Sequence, residues 1–214
     1  MTAAPADWAD QAEQSVLDAA LPRAAELGWS RRLVEVAAAE AGLSPGEALL
    51  LLPDGPRDLA ALLSRRHDAA GFAALSVLDP ASLKIRQRIS QGVQARLDAA
   101  MADAAALRRW AGFLALPANL PLSLRLTWES ADGIWRWAGD TATDENHYSK
   151  RAILSGILVS TLALRLSSGD EAARAHLAAR IDNVMAFEKW KAGVKTPVAF
   201  ADVAAALGRL RYGR

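Results

Sequence analysis

The sequence contains no cysteine, which removes disulfides, thiolate nucleophiles and thiolate metal sites together and suits a reducing compartment. It also lacks an excess of either charge: 25 Lys and Arg stand against 24 Asp and Glu, for a net +1. Nucleic-acid binders gain affinity from a basic surplus that releases counterions, and that surplus is missing here. No G-x-S-x-G elbow, Walker loop or dinucleotide glycine pattern occurs, so hydrolase, kinase and dehydrogenase readings lose their main support. Strand signals, internal repeats and low-complexity tracts do not stand out. No basic residue precedes Arg23. A charged n-region and an Arg-rich presequence are therefore both lacking, and the expectation is a protein neither exported nor imported, or one whose presequence has been removed.

What is present is a globular composition. Of 214 residues, 52% are apolar and 23% charged, with ordinary counts of glycine (14) and proline (9). That suffices for a sizeable core, in one domain or in a small domain fused to a larger one. Abundant alanine, with arginine well above lysine, suggests a bacterial source.

Nearly every segment has helical periodicity. Ser15 to Leu27 places Leu17, Leu21, Ala24 and Leu27 near one face, with Pro22 expected to bend it and Gly28 to end it. Arg32 to Ala41 is a second helix stopped by Gly42. Ser44 then caps a third, with Pro45 at its first position and Pro53 at its end. Residues 1–66 thus form a helix-turn-helix-like part. A fourth helix follows PDGPRDL, and Lys84 to Met101 is amphipathic, with Lys84, Arg86, Arg88 and Arg96 assigned to its polar side. Leu107 to Leu116 and the proline-flanked Pro117 to Leu124 lead onward, and Asp170 to Lys191 reads as a long helix. Residues 67–194 are expected to form a larger helical domain, and residues 195–214 an amphipathic helix. A recognition helix needs Arg, Lys, Asn or Gln to reach base edges, whereas Gly42 to Asp54 has none of these and carries Glu47. The helix-turn-helix is accordingly expected to be structural, without nucleic acid as a partner.

Leu126 to Leu166 is the most distinctive stretch, holding three of the seven tryptophans. Trp128, Ala131, Trp135 and Ala138 share one helix face and Trp137 points almost the opposite way. Gly139 reads as a stop. After a polar turn, thirteen uncharged residues from Ala152 to Leu164 follow. At about 1.5 Å per residue they cover about 20 Å, short of a bilayer core of about 30 Å. They predict a buried helix or one wall of an apolar cavity. Asp144 and His147 lie three apart, as in half of a carboxylate di-metal site, but no second copy of the motif exists. Neither metal nor cofactor is expected.

The run GDTATDENHYSKR ahead of the apolar helix, the preceding ADGIWRWA, the later ARIDNVM, and AALPRAAELGWS with LLPDGPRDL near the start resemble the accessory lipid-binding proteins of ubiquinone (coenzyme Q) biosynthesis. The resemblance extends over Gln14 to Lys191. It implies an all-α fold like that of TetR regulators, with a degenerate N-terminal helix-turn-helix and a larger C-terminal lipid-binding helical domain. It further implies a homodimer, no enzymatic activity, binding of an isoprenoid lipid or phospholipid, and assistance to the demethoxyubiquinone hydroxylase. Asp132, Trp135, Gly139, Asp140, Asp144, Tyr148, Lys150 and Arg151 match the family's strongest pattern. Glu145 and His147 stand where many members carry aromatics.

Under that resemblance the expected lipid-facing residues are Trp128, Ile134, Trp135, Ile153, Leu154, Ile157, Leu158, Thr161, Leu177, Ile181 and Met185, with plain core packing as the alternative. Asp140, Asp144, His147, Tyr148, Lys150 and Arg151 are the expected partner contacts. Near the C-terminus, Phe200, Val203, Leu207 and Leu210 recur at steps of three and four ahead of Arg209, Arg211 and Arg214, which predicts either membrane contact or docking on the protein. The expected location is cytoplasmic, at the periphery of the inner membrane. The rival function is a TetR-like transcriptional regulator that senses an apolar effector.

Overall fold

The computed structural model describes residues 8–141 and 145–193. It is all-α, with no strand among the described residues. The described residues fall into two units, one ending at Leu177 and one beginning at Ala178. The expectations for Phe200, Val203, Leu207 and Leu210, for Asp144 and for the side chain of Met185 lie outside the described residues.

The first unit opens with α1 (Trp8–Leu27), α2 (Arg31–Glu40) and α3 (Pro45–Leu51). Ser30 caps α2, its hydroxyl accepting from the Leu33 amide at 3.2 Å. Gly42, at φ +79°, makes the turn a side chain would resist. At α3 the Ser44 amide donates to Glu47 Oε2 at 2.8 Å while the Ser44 hydroxyl accepts from the Glu47 amide at 3.3 Å. This reciprocal cap gives Glu47 a structural job.

α4 (Pro56–Leu75) runs through the expected boundary at residues 66 and 67, and it packs most closely on α5 (Ile85–Met101). α6 (Ala104–Leu114) and α7 (Leu120–Trp137) form a hairpin joined by a 3-10 turn at Pro117–Asn119. Leu17, Leu33, Leu59, Leu63, Leu107 and Leu126, each 1% exposed or less, fill a common core. Trp29 Nε1 donates to the Pro56 carbonyl and Trp110 Nε1 to the Ala60 carbonyl, both at 2.9 Å. Each indole thus buries its ring without stranding its one donor.

α8 (Glu145–Ser168) packs along α7, and α9 (Asp170–Gly193) continues into the second unit. Counted with its polar ends, His147–Ser168 is long and apolar enough to cross a membrane by length and composition, a longer stretch than the thirteen uncharged residues suggested. Arg151, inside that stretch, is 2% exposed and paired to two carboxylates. Leu154, Ile157, Leu158 and Thr161 share the buried face, while Ile153 and Val159 face outward.

Arg96 departs from its expected polar position. It is 8% exposed, because position 96 falls on the same face of α5 as buried Val93, Leu97 and Ala100. A cation there requires an internal partner.

Candidate functional site

Two structures meet on α7, a charged hub at its C-terminal end and an apolar cavity along its N-terminal half. The hub is set by Gly139, whose φ of +85° ends α7 and turns the chain so that the Asp140 amide donates to the Trp135 carbonyl at 2.9 Å. Arg151 reaches across from α8. Its Nε donates to Asp132 Oδ1 at 2.6 Å, and its Nη1 to Asp140 Oδ2 and the His147 carbonyl, both at 3.1 Å. Lys150 Nζ reaches Asp140 Oδ1 at 2.7 Å, and Arg136 Nε lies 2.8 Å from Asp132 Oδ2. Burial pushes the Asp140 carboxyl up, but hydrogen bonds and charge from Lys150 and Arg151 outweigh it and hold the group below its ordinary value.

The aromatic side chains surround this hub. Trp135 Nε1 donates to the Lys150 carbonyl at 3.1 Å, and Lys150 Nζ stands 5.3 Å from the Trp135 ring centroid. Tyr148, 65% exposed, lies 6.2 Å from Trp128 and 5.1 Å from His147, ring centre to ring centre. Of the expected partner contacts, Tyr148, His147 and Lys150 therefore reach the surface, whereas Arg151 and Asp140 lie beneath them.

The cavity holds about 360 Å³ and is bounded by α4, α5, α6, α7 and α8. Its walls are apolar, formed by Leu97, Trp110, Leu114, Leu126, Leu158 and Leu162, among others. Ala115, Leu120, Val159 and Ala163 mark the solvent side, and all four are exposed. Ser64, Arg96 and Ser130 mark the buried side. Arg96 Nη2 donates to Ser64 Oγ at 3.3 Å, Arg96 Nε pairs with Asp68, and Ser130 Oγ donates to Asp68 Oδ1 at 2.7 Å. Burial raises the Asp68 carboxyl above its ordinary value, although Arg96 and Ser130 pull it down.

Of the expected lipid-facing residues, Leu158 lines this cavity. Trp128 and Trp135 belong to the hub. Ile134 is buried with its Cγ2 close over Gly92, where a Cβ would stand 2.6 Å away. Leu154, Ile157, Leu177 and Ile181 are buried, and Ile153 is on the outer face. Thr161 Oγ1 is buried without a hydrogen-bond partner. Arg96, Ser64 and Ser130 were not anticipated. Their signal was a polar residue inside an apolar helical stripe, such as Ser130 between Leu126 and Ile134. Among the described residues, no group of three His, Asp or Glu is placed to hold a metal ion.

Behind the cavity, His67 Nε2 meets Asp103 Oδ2 at 2.8 Å while Nδ1 is buried and unpartnered. Burial, with the charge on Arg96, lowers the imidazole from 6.5 to about 4, against the opposing pull of Asp103. A depressed imidazole favours folding above its unfolded value and loses that contribution as the pH falls. The unfolding free energy should accordingly drop by about 2 kcal/mol between pH 7 and pH 5 through this group. Urea titration of the wild type and His67→Gln at both pH values checks this, the variant losing the histidine-dependent part of the slope.

The described residues define an all-α helical protein with an apolar cavity open to solvent on one side. Comparison with known sequences narrows that class. A family model described as COQ9 matches residues 120–188, which span α7, α8 and most of α9. The chain is 30% identical over 158 residues to the ubiquinone biosynthesis protein COQ9, mitochondrial, of Rattus norvegicus, covering 71% of this chain and 51% of the relative. It is 31% identical over 163 residues to COQ9-A of Xenopus laevis, covering 71% and 50%, and 27% identical over 164 residues to human COQ9, with the same coverage. This chain belongs to the COQ9 family. It spans about half the length of the curated relatives it matches.

Proposed function

We propose that the protein acts in ubiquinone biosynthesis as a non-catalytic accessory protein that binds an isoprenoid quinone intermediate and presents it to the demethoxyubiquinone hydroxylase at the membrane. The observation that carries this reading is the apolar cavity with Arg96, Ser64 and Ser130 at its buried side. Its volume of about 360 Å³ is near the small end of the range for ligand sites, about 300–1,000 Å³. That is space for a ring and a short run of tail. Each methylene buried from water contributes about 0.8 kcal/mol, but a tail already in a bilayer gains almost nothing by leaving it. A small cavity therefore suits a protein that handles one end of a lipid whose remainder stays in the membrane.

The exposed Tyr148, with the half-buried His147 and Lys150 beside it, would form the hydroxylase contact, with Arg151 and Asp140 holding them in place. A TetR-like homodimer at the inner-membrane surface, with residues 195–214 providing a second contact, completes the reading. The regulator alternative has little support in α3. Its exposed Leu49 and Leu50 offer no hydrogen bond to a base edge.

Quinone profiling of a deletion strain tests the proposal. Demethoxyubiquinone should accumulate and be cleared by the wild-type gene, whereas unchanged quinones would overturn the assignment.

A further inference from the structure

The cavity ends inward on a cation that is already neutralised. Arg96, 8% exposed, gives its Nε to Asp68 and its Nη2 to Ser64 Oγ at 3.3 Å. Asp68 is held from a third side by Ser130, whose Oγ lies 2.7 Å from Oδ1 and 3.0 Å from Oδ2. Two donors converging on one acid suit a carboxylate, which only accepts. Not all of the wall is used up in this pairing. Among the described residues, Arg96 Nη1 makes no hydrogen bond, and the Ser64 hydroxyl accepts from Arg96 while its own hydrogen has no acceptor. Both side chains belong to the cavity wall.

Charge decides which head group such a wall can take. Asp68 cancels Arg96 at contact distance. His67, with its imidazole lowered to about 4, is uncharged at pH 7, and Asp103 on its Nε2 adds a further negative group behind the wall. A carboxylate or phosphate brought here would be a buried anion with no cation of its own, which is strongly unfavourable. A neutral carbonyl or phenol oxygen asks only for donors, and Arg96 Nη1 and the Ser64 hydroxyl supply them.

We infer that Asp68 determines the specificity of the cavity: by neutralising Arg96 it makes the buried wall a site for the uncharged oxygen of a ring carbonyl or phenol and turns anionic heads away. This rests on the lipid-binding reading above and adds to it which end of the ligand enters and which residue selects it. Asp68 does not touch the ligand. It is a positioning residue that acts through the charge and orientation of Arg96, and Arg96 with Ser64 holds the oxygen.

Isothermal titration calorimetry at pH 7 with two probes of matched shape tests this, 4-butylacetophenone for the neutral carbonyl and 4-butylbenzoate for the anion. The wild type should bind the ketone at least about tenfold more tightly than the benzoate. Asp68→Asn keeps the size and the acceptor of Asp68 but frees the charge of Arg96, so the order should invert, with the benzoate gaining about tenfold or more. A second variant guards against loss of fold. Replacing a buried pair by apolar groups of similar volume is often neutral for stability, so the combined Asp68→Leu and Arg96→Met should stay folded. It should bind the ketone about tenfold less tightly, through the lost charged hydrogen bond, and should bind butylbenzene, which has no oxygen, as the wild type does. Ala111→Phe, which places a ring in the cavity, should lose the ketone. Equal affinity of the wild type for ketone and benzoate, an unchanged order in folded Asp68→Asn, or wild-type ketone affinity in the double variant would overturn the inference and leave the cavity as a lipid site. Binding of neither probe, or ketone binding that Ala111→Phe leaves intact, would overturn it together with the assignment of the lipid to this cavity.

Discussion

Replacing Arg151 by methionine should lower the unfolding free energy by about 3 kcal/mol, at the lower end of the about 3–5 kcal/mol expected when one partner of a buried ion pair is removed. The lower end applies because neither carboxylate is left without a cation. Asp132 keeps Arg136 at 2.8 Å and Asp140 keeps Lys150 at 2.7 Å. Those remaining partners are more exposed, however, with side chains 73% and 38% accessible against 2% for Arg151. They are correspondingly weaker through solvent screening. For a chain of this length the loss corresponds to about 6–12 °C in melting temperature.

The contrast with Arg136→Ala separates a buried hub from ordinary surface charge. That substitution removes a mostly exposed partner and should cost under about 1 kcal/mol. The acid side of the stability profile provides a second readout. Asp140 has a depressed carboxyl, so its contribution is present above the ordinary carboxylate value and is lost as the pH falls through the lowered one. Arg151→Met should reduce that acid-side loss. Differential scanning calorimetry at neutral and acid pH measures both effects. Equal melting temperatures for wild type and Arg151→Met would show that the hub contributes no net stability.

How far the sequence announced these features depended on how local their causes are. The helix ends were legible because caps and stops act within four residues. Ser44, Pro45 and Gly139 carry their instructions alone, and the cap at α3 lies where they place it. The all-α architecture followed from the same periodicity. Longer-range features were harder to read. Arg96 looked like a surface cation because arginine usually is one, although position 96 lies on the buried face with Val93 and Leu97. Its partners, Ser64 and Asp68, come from α4, and Asp68 is held in turn by Ser130 of α7. Nothing local to α5 names them.

Trp135 illustrates the same limit. Its helix face was legible, but the neighbour of that face was not. The indole donates to the carbonyl of Lys150, fifteen residues away, and so braces the hub at a distance from the cavity lining. The cavity itself lies where α6, α7 and α8 face one another through small side chains such as Ala111, Ser123 and Ala163. Periodicity assigns each of these residues to a face but cannot say that the space between the faces is left open.

That open space leads to the second large effect. If the cavity holds lipid as proposed, Ala111→Phe, which projects a ring from α6 into it, should displace that lipid. If the ring excludes about three methylenes, the loss is about 2.4 kcal/mol, or about fiftyfold in affinity. Overpacking usually costs about 1–3 kcal/mol in a filled core. Here the added ring enters existing space, so the melting temperature should stay close to that of the wild type. Native mass spectrometry of wild type and variant, purified without detergent exchange, reads the occupancy directly. Lipid retained by Ala111→Phe at wild-type levels would move the binding site out of this cavity and onto the outer face of α8, where Ile153 and Val159 are exposed.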